Sequence, residues 1–198
     1  MKLNFFEYWF MNNPIRATIQ SQHEMRNFEK LIDIPKEKSI LEIGCGKGVG
    51  AKIIKKRLIP SDYQGIDLDE KMIKRAKKQK IQGAKFQTAD ATKLPFDDKA
   101  FDLVFDFGAI HHIPSWEKTI DEVFRALKSG GIFLFEELSQ ETWKHGIGKP
   151  LKRVLDHPYE EMFDRPSFID YLNKNFSSVR TEKKSACGFY YFYGIAMK

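Results

Sequence analysis

Between about residue 36 and residue 137 the chain alternates short apolar runs with segments of helical spacing, and this alternation restricts the folds open to it. Five runs have strand-forming composition: 38–43, 62–67, 84–89, 101–108 and 130–137. Three segments between the runs have the apolar spacing of helices: 48–58, 70–78 and 116–128. A repeated order of strand, helix and strand predicts a parallel sheet covered by helices on both faces.

After residue 138 the pattern changes. Its parts are a polar insert with Gly and Pro (139–166), a short helical segment (167–176) and two strand-like runs (178–186 and 189–198). Cys187 and Gly188 join the two runs, and a tight glycine junction of this kind predicts an antiparallel hairpin. We therefore expect the sheet to close with an antiparallel pair.

Composition narrows the class of protein. With 198 residues, 42% hydrophobic and 30% charged, the chain suits one globular domain, and it has no apolar run of the roughly 18 to 20 residues that a membrane span needs. Glu7 and the Asn12-Asn13-Pro14 break interrupt the aromatic N-terminus, so it does not resemble a signal peptide, and we expect a cytoplasmic protein. Two cysteines, without the spacing of a zinc site, predict neither a disulfide framework nor a metal site.

The stretch 40–50 has the sequence ILEIGCGKGVG, with four glycines directly after a strand-like run. Such a turn lets a ligand approach the backbone and leaves N–H groups of the next helix facing it. The dinucleotide spacing G-x-G-x-x-G/A fits from Gly46, but fails from Gly44, the first glycine after the strand, because Val49 is then sixth. No phosphate-binding G-x-x-x-x-G-K-[ST] occurs. The loop by itself predicts a nucleotide-like ligand without deciding which.

Acidic residues lie at the ends of four predicted strands, where parallel sheets bind ligands: Glu42, Asp67, Asp90 and Asp106. Asp67, roughly 20 residues past the loop, has the position of a carboxylate that binds both ribose hydroxyls, which nicotinamide-dependent proteins share. Glu42, beneath the loop, suits a ligand with an ammonium and a sulfonium better than a pyrophosphate. Taken singly, each acid is explained as a turn or edge residue. Together they favour a binding site.

With motifs E-x-G-C-G-x-G, G-I-D-L-D-x-x-M-I, D-A-x-x-L-P-F and R-A-L-K-S-G-G in this order, residues 40–137 resemble the class I S-adenosylmethionine (SAM)-dependent methyltransferases, in the branch with quinone-ring and other small-molecule enzymes. The resemblance implies an α/β fold, a single-domain Rossmann-like three-layer sandwich. Its seven-stranded, mostly parallel sheet would have the order 3-2-1-4-5-7-6 with strand 7 antiparallel. The implied parts are an N-terminal helical lid (1–35), a SAM-binding core (36–137), a substrate-side insert (138–166) and the last helix with the hairpin (167–198).

The resemblance implies SAM as the cofactor and S-adenosylhomocysteine as its product. The residues it implies around the cofactor are Glu42, Gly44, Cys45, Gly46, Asp67, Leu68, Met72, Asp90, Ala91, Phe107 and Gly108. Residues 44–46 would line the methionine moiety, with Glu42 near its amino group and Asp67 on the ribose.

The remaining residues of this set would contact the other parts of the cofactor. Leu68 and Met72 would pack on the adenine, Asp90 would accept its amino proton, and the Ala91 N–H would bind a ring nitrogen. Residues 107–108 would form the wall near the sulfonium.

Methyl transfer from a sulfonium is an in-line displacement, so positioning and water exclusion supply most of the catalysis. His111 and His112 are the histidines at the expected catalytic edge, where a neutral imidazole can take a proton from the acceptor; the alternative is that one caps the turn and the other packs. The aromatic leader 5–10 is interpreted as a lid or as core packing. The insert, with Trp143, His145 and Tyr159, is a second candidate for the acceptor wall.

Three functions stay open. The first is methyl transfer to a small-molecule acceptor, with peripheral contact to a membrane or a lipid substrate as a possibility. The second is a SAM-binding partner subunit without catalysis, and the third a nicotinamide-dependent oxidoreductase, which would not explain Glu42 with Asp90 and Ala91. The net charge of +6 comes from scattered lysines typical of a solvated face, so nucleic acid is not expected as a partner. The sequence gives no oligomeric state.

Overall fold

A computed structural model describes residues 23–144, 162–186 and 189–198. The strands are β1 Ser39–Ile43, β2 Asp62–Asp67, β3 Ala84–Thr88, β4 Phe101–Phe107, β5 Leu127–Leu138, β6 Ser178–Ala186 and β7 Phe189–Met197. The helices in these ranges are α1 Met25–Leu31, α2 Val49–Leu58, α3 Glu70–Lys78, α4 Trp116–Ala126, α5 Glu141–Lys144 and α6 Arg165–Asn175. A 3-10 turn covers Ile110–His112.

The strands form one seven-stranded sheet in the order β3-β2-β1-β4-β5-β7-β6. Strands β1 to β5 are parallel to one another, while β7 is antiparallel to both β5 and β6. This confirms the predicted sheet order and the antiparallel hairpin strands. Ile43 at the end of β1 pairs with Ile66 on one side and Asp106 on the other, so the ends of three strands meet. We call this side of the sheet the carboxyl edge.

Both faces of the sheet are buried, as expected for a parallel sheet. In β5, Phe133 and Phe135 pack with α4 and α6, whereas Ile132 and Leu134 pack with α1, α2 and α3. We call these the α4 face and the α1 face. The alternation follows from the pleat, which sends successive side chains to opposite faces.

Side-chain caps explain where two helices begin. Asp69 accepts the N–H of Lys71 at 2.8 Å at the start of α3. Asp164 accepts the N–H of Ser167 at 2.9 Å at the start of α6, two residues before the predicted helix. At the start of α4, Ser115 makes no side-chain cap hydrogen bond.

The predicted end of the helix at 116–128 is wrong. The helix ends at Ala126, and Leu127 and Lys128 already belong to β5. Gly130 donates its N–H to the carbonyl of Lys198, and Lys198 donates to Gly131, each at 3.0 Å. Pairing with Lys198 therefore makes this segment part of the sheet. The local apolar spacing could not predict this, because Lys198 is distant in sequence.

Several predicted features lie outside the described residues. These are the N-terminal part of the lid with the aromatic leader 5–10, most of the insert, and the junction at 187–188. Helix α1 is the described part of the predicted lid, and the division of the chain into four functional parts stays a prediction. Within the described ranges, no helix has the length and apolar character needed to cross a bilayer.

Packing of α1 onto the sheet generates a stability prediction. The buried Phe28 ring lies 6.0 Å from Phe105 and 5.9 Å from Phe107, measured between centroids. Phe28→Ala should therefore lower the free energy of unfolding by about 3–5 kcal/mol, seen as a lower urea midpoint with an unchanged slope. Arg26→Ala, on the exposed side of α1, should stay within about 0.5 kcal/mol. Equal midpoints for the two variants would contradict the packing.

Candidate functional site

The loop that follows β1, residues 44–50, is called the glycine loop. Gly44, Gly46 and Gly48 have φ of +63°, +51° and +85°, a region that side chains rarely adopt. A Cβ on Gly44 would lie 2.2 Å from the Cβ of Ala109, so this glycine also lets the segment after β4 approach. Among the described residues, no atom would lie within 4 Å of a Cβ on Gly46. The backbone at Gly46 therefore borders open space that a ligand can enter.

Asp67, at the end of β2, connects its strand to the glycine loop. Its Oδ2 accepts the N–H of Gly46 at 2.9 Å, and its Oδ1 accepts the N–H of Asp69 at 2.8 Å. Each carboxylate oxygen can accept a second hydrogen bond, so both retain capacity for a ligand. Burial raises the pKa of Asp67 above its ordinary value despite these two donors. The structure thus places Asp67 beside the open backbone of Gly46.

Glu42 lies beneath the glycine loop, as the sequence predicts, and its side chain is only 2% exposed. The Tyr63 hydroxyl donates a hydrogen bond to its Oε2. A Cβ on Gly50, in the first turn of α2, would lie 2.2 Å from Oε1. Burial raises the pKa of Glu42 to about 8, and the charges of Asp67 and Asp106 act in the same direction. The carboxyl is therefore largely protonated at neutral pH, and its contact with an ammonium stays a prediction.

Two of these residues were missed by the sequence analysis. Tyr63 gave no sequence signal, because an aromatic residue in a strand is usually a packing residue. Gly50 was counted among the glycines of the ligand-binding loop. The structure shows instead that a side chain at this position would overlap the Glu42 carboxyl.

Cys45 points away from the loop surface. Its side chain is buried, and its Sγ lies 3.1 Å from the position of a Cβ on Gly65. Its N–H donates to the carbonyl of Ile66 at 2.9 Å. The expectation that Cys45 lines a ligand is therefore restricted to its backbone atoms, because the thiol packs in the core of the α1 face.

The expected adenine side lies at the ends of β2 and β3. Leu68 is 56% exposed, whereas Met72 is buried. Asp90 is exposed, and its Oδ1 accepts both the N–H and the hydroxyl of Thr92 at 2.8 Å, which leaves Oδ2 for a ligand. Ala91 is buried beside it. An exposed leucine between the carboxylates of Asp67 and Asp90 offers an apolar surface on which a flat ring can pack.

At the end of β4 the structure limits one prediction. Phe107 is buried and stacks on Phe105 at 5.7 Å, so its ring belongs to the core of the α1 face and leaves only its backbone for a ligand wall. Gly108, with φ of +74°, turns the chain toward the 3-10 turn. The turn buries His111 and leaves His112 partly exposed.

Two carboxyl groups of the α4 face lie under this turn. Asp106 accepts the N–H of Ala109 at 2.9 Å, and Glu137 accepts the N–H of Ile110 at 2.8 Å. Glu137 also contacts the Nδ1 of His111. The sequence analysis missed Glu137, since one of two adjacent glutamates after an apolar strand is usually a surface residue.

Of the three insert residues expected at the acceptor wall, the structure describes Trp143. Trp143 is buried against Met162 and Leu138, so its ring packs in a small cluster of its own. His145 and Tyr159 lie outside the described residues.

Comparison with known proteins bears on this arrangement. Residues 41–135, from β1 to β5, match the family model described as a methyltransferase domain. The chain carries a methyltransferase domain. This confirms the resemblance that the motifs suggested.

Relatives of the methyltransferase domain include the phthiotriol/phenolphthiotriol dimycocerosates methyltransferase of Mycobacterium tuberculosis, 40% identical over 102 residues, 51% of this chain and 38% of that protein. The fatty-acid O-methyltransferase of Mycolicibacterium smegmatis is 38% identical over 149 residues, 75% of this chain and 51% of that protein. The chain thus spans about half the length, or less, of these relatives.

Among solved structures, phosphoethanolamine N-methyltransferase 2 of Haemonchus contortus, in complex with SAM, superposes with a TM-score of 0.73. It is 18% identical and is matched over 89% of this chain and 52% of that one. At this identity the likeness supports the fold of the methyltransferase domain.

The contact between Glu42 and Gly50 generates a test by double mutation. Gly50→Ala should lower the free energy of unfolding by about 1–3 kcal/mol, because the new methyl group overlaps the Glu42 carboxyl. In a Glu42→Ala background the same change should be neutral, or stabilising by up to about 1 kcal/mol, since helices favour Ala over Gly. Urea unfolding of the four proteins measures the coupling. An equal cost in both backgrounds would show that the carboxyl does not require this glycine.

Proposed function

We propose that the chain transfers a methyl group from SAM to a small-molecule acceptor. The observation that carries the proposal is the open backbone at Gly46 beside the carboxylate of Asp67, at the carboxyl edge of a methyltransferase domain. The names of the relatives, which are methyltransferases, agree with this activity.

The residues at this edge fit SAM. Asp67 would hold the ribose hydroxyls with its remaining lone pairs, Leu68 would cover the adenine, and Asp90 would accept from its amino group. The glycine loop would hold the methionine moiety, with the Glu42 carboxyl beneath it. When bound, SAM supplies a methyl group made electrophilic by the sulfonium. The chain itself binds, orients and excludes water, which suffices for most of such a reaction.

We further propose a lipid-like acceptor with an oxygen nucleophile. The two relatives are named for dimycocerosates and for fatty acids, and the second name specifies methylation on oxygen. A carboxylate is already ionised at neutral pH and needs no base, whereas a hydroxyl must lose a proton. His112, partly exposed at the carboxyl edge, is the residue we propose to take that proton.

Cofactor identity can be measured directly by calorimetry. We expect SAM and S-adenosylhomocysteine to bind the chain far more tightly than NAD. Asp67→Ala should weaken SAM binding by about 1–3 kcal/mol, the scale of hydrogen bonds to a charged group. Asp97→Ala, an exposed acid between β3 and β4, should leave it unchanged. Thermal unfolding of both variants checks the fold. Tighter binding of NAD than of SAM would favour the oxidoreductase alternative.

The acceptor is tested with SAM carrying a radioactive methyl group. Oleate, oleyl alcohol and phosphoethanolamine represent a carboxylate, a hydroxyl and an amine, and we expect label in the first two. His112→Ala should slow methylation of the alcohol by roughly a hundredfold, the scale of a general base, and that of oleate much less. Label in phosphoethanolamine alone would contradict the oxygen acceptor. SAM binding with no transfer to any probe would favour the non-catalytic subunit.

A further inference from the structure

Buried carboxyl groups hold the 3-10 turn after β4 at its start and at its middle residue. Asp106 Oδ1 accepts the N–H of Ala109, which precedes the turn, at 2.9 Å. Glu137 Oε1 accepts the N–H of Ile110 at 2.8 Å, and its Oε2 accepts that of His111 at 3.3 Å. The Nδ1 of His111 contacts the same Oε2. The turn is therefore attached through its backbone to the ends of β4 and β5.

The two carboxyl groups complement each other. Asp106 is fully buried and Glu137 is 1% exposed, and among the described residues no donor reaches Asp106 Oδ2. A proton on Asp106 lets this acid donate a hydrogen bond to Glu137, with which its side chain interacts. Burial raises the pKa of Asp106 well above its ordinary value and that of Glu137 to about 7, and His111 is the other titratable group against the pair. One shared proton thus avoids two buried charges of like sign.

The pair acts on the neighbouring histidine through the His111 ring. Glu137 binds His111 on one side, and on another the ring passes close to Gly108, where a Cβ would lie 3.5 Å from its Cε1. Its ring centroid lies 4.1 Å from that of His112, with the planes inclined by 37°. A carboxylate at Nδ1 also selects the tautomer with the proton on that nitrogen. The orientation of His112 therefore depends on a ring that Glu137 holds.

We propose that Glu137, sharing a proton with Asp106, is a positioning residue for methyl transfer that fixes the turn and, through His111, orients His112 toward the acceptor. The proposal rests on the proposed function, in which His112 is the base. Glu137 itself does not contact the substrate. Of the two adjacent histidines, His111 is held in place and His112 reacts.

The first test reads the histidine tautomers by NMR in the full chain with S-adenosylhomocysteine. Long-range nitrogen–proton correlations distinguish the two ring nitrogens, and the His111→Gln and His112→Gln variants assign the signals among the five histidines. We expect the His111 proton on Nδ1 in the original protein. In Glu137→Gln, whose amide can present a donor to Nδ1, that pattern should be lost and the His112 signal should shift. Glu136→Gln, on the opposite face of β5, should change neither.

The second test compares turnover of oleyl alcohol with SAM affinity. Glu137→Gln should lower turnover about tenfold or more while the Kd for SAM changes less than about twofold, because the expected cofactor residues lie mainly on β1 to β3. Asp106→Asn keeps the acceptor for Ala109 and supplies a permanent donor to Glu137. The His111 proton should stay on Nδ1 in this variant, so the tautomer measurement tests the pair even if Glu137→Gln does not fold.

Two results would overturn the proposal. One is a folded Glu137→Gln protein with the original His111 tautomer and turnover. The other is an Asp106→Asn protein with the tautomer pattern lost, which would show that no proton is shared. If the original protein transfers no methyl group to any probe, the proposed function fails, and the tautomer measurement still decides whether Glu137 holds the turn.

Discussion

Three carboxyl groups are buried directly under the carboxyl edge of the sheet, and the segments that build the candidate site are attached to them. Glu42 supports the glycine loop from below, while Asp106 and Glu137 bind the backbone of the 3-10 turn. A buried acid is costly unless it is protonated or hydrogen-bonded. Here Glu42 accepts from Tyr63 of β2, while Asp106 and Glu137 accept backbone N–H groups of the turn. The turn can therefore take up few other positions without leaving an acid unsatisfied.

The pleat of the sheet distributes these acids between its two faces. Glu42 points to the α1 face, where Tyr63 and the first turn of α2 receive it. Asp106 pairs across the sheet with Ile43, one residue further along β1, and points with Glu137 to the α4 face. The proposed cofactor half and the proposed acceptor half of the edge are thus built on opposite faces. They meet where Gly44 and Ala109 come into contact.

Above these buried carboxyl groups the surface is open where a ligand is expected. In the described part of the chain, no atom lies within 4 Å of where a Cβ on Gly46 would be, and Leu68 is exposed beside it along the edge. A rigid floor with an open surface suits a reaction whose main requirement is alignment of donor and acceptor. The fold is shared with a structure of 18% identity, so the choice of acceptor is expected to depend on loops and side chains at the edge rather than on the sheet.

The sequence by itself determined the sheet order through the family resemblance, the strands and helices through their periods, and the position of Asp67 through its distance from the glycine loop. These features depend on residues close in sequence or on motifs in a fixed order, so they can be predicted from the sequence. Tertiary structure alone decided that α4 stops at Ala126, because Lys198 pairs with the following residues. It also decided that Gly50 must be glycine and that Glu137 lies under the turn, since both depend on a side chain brought close by strand pairing and not by sequence.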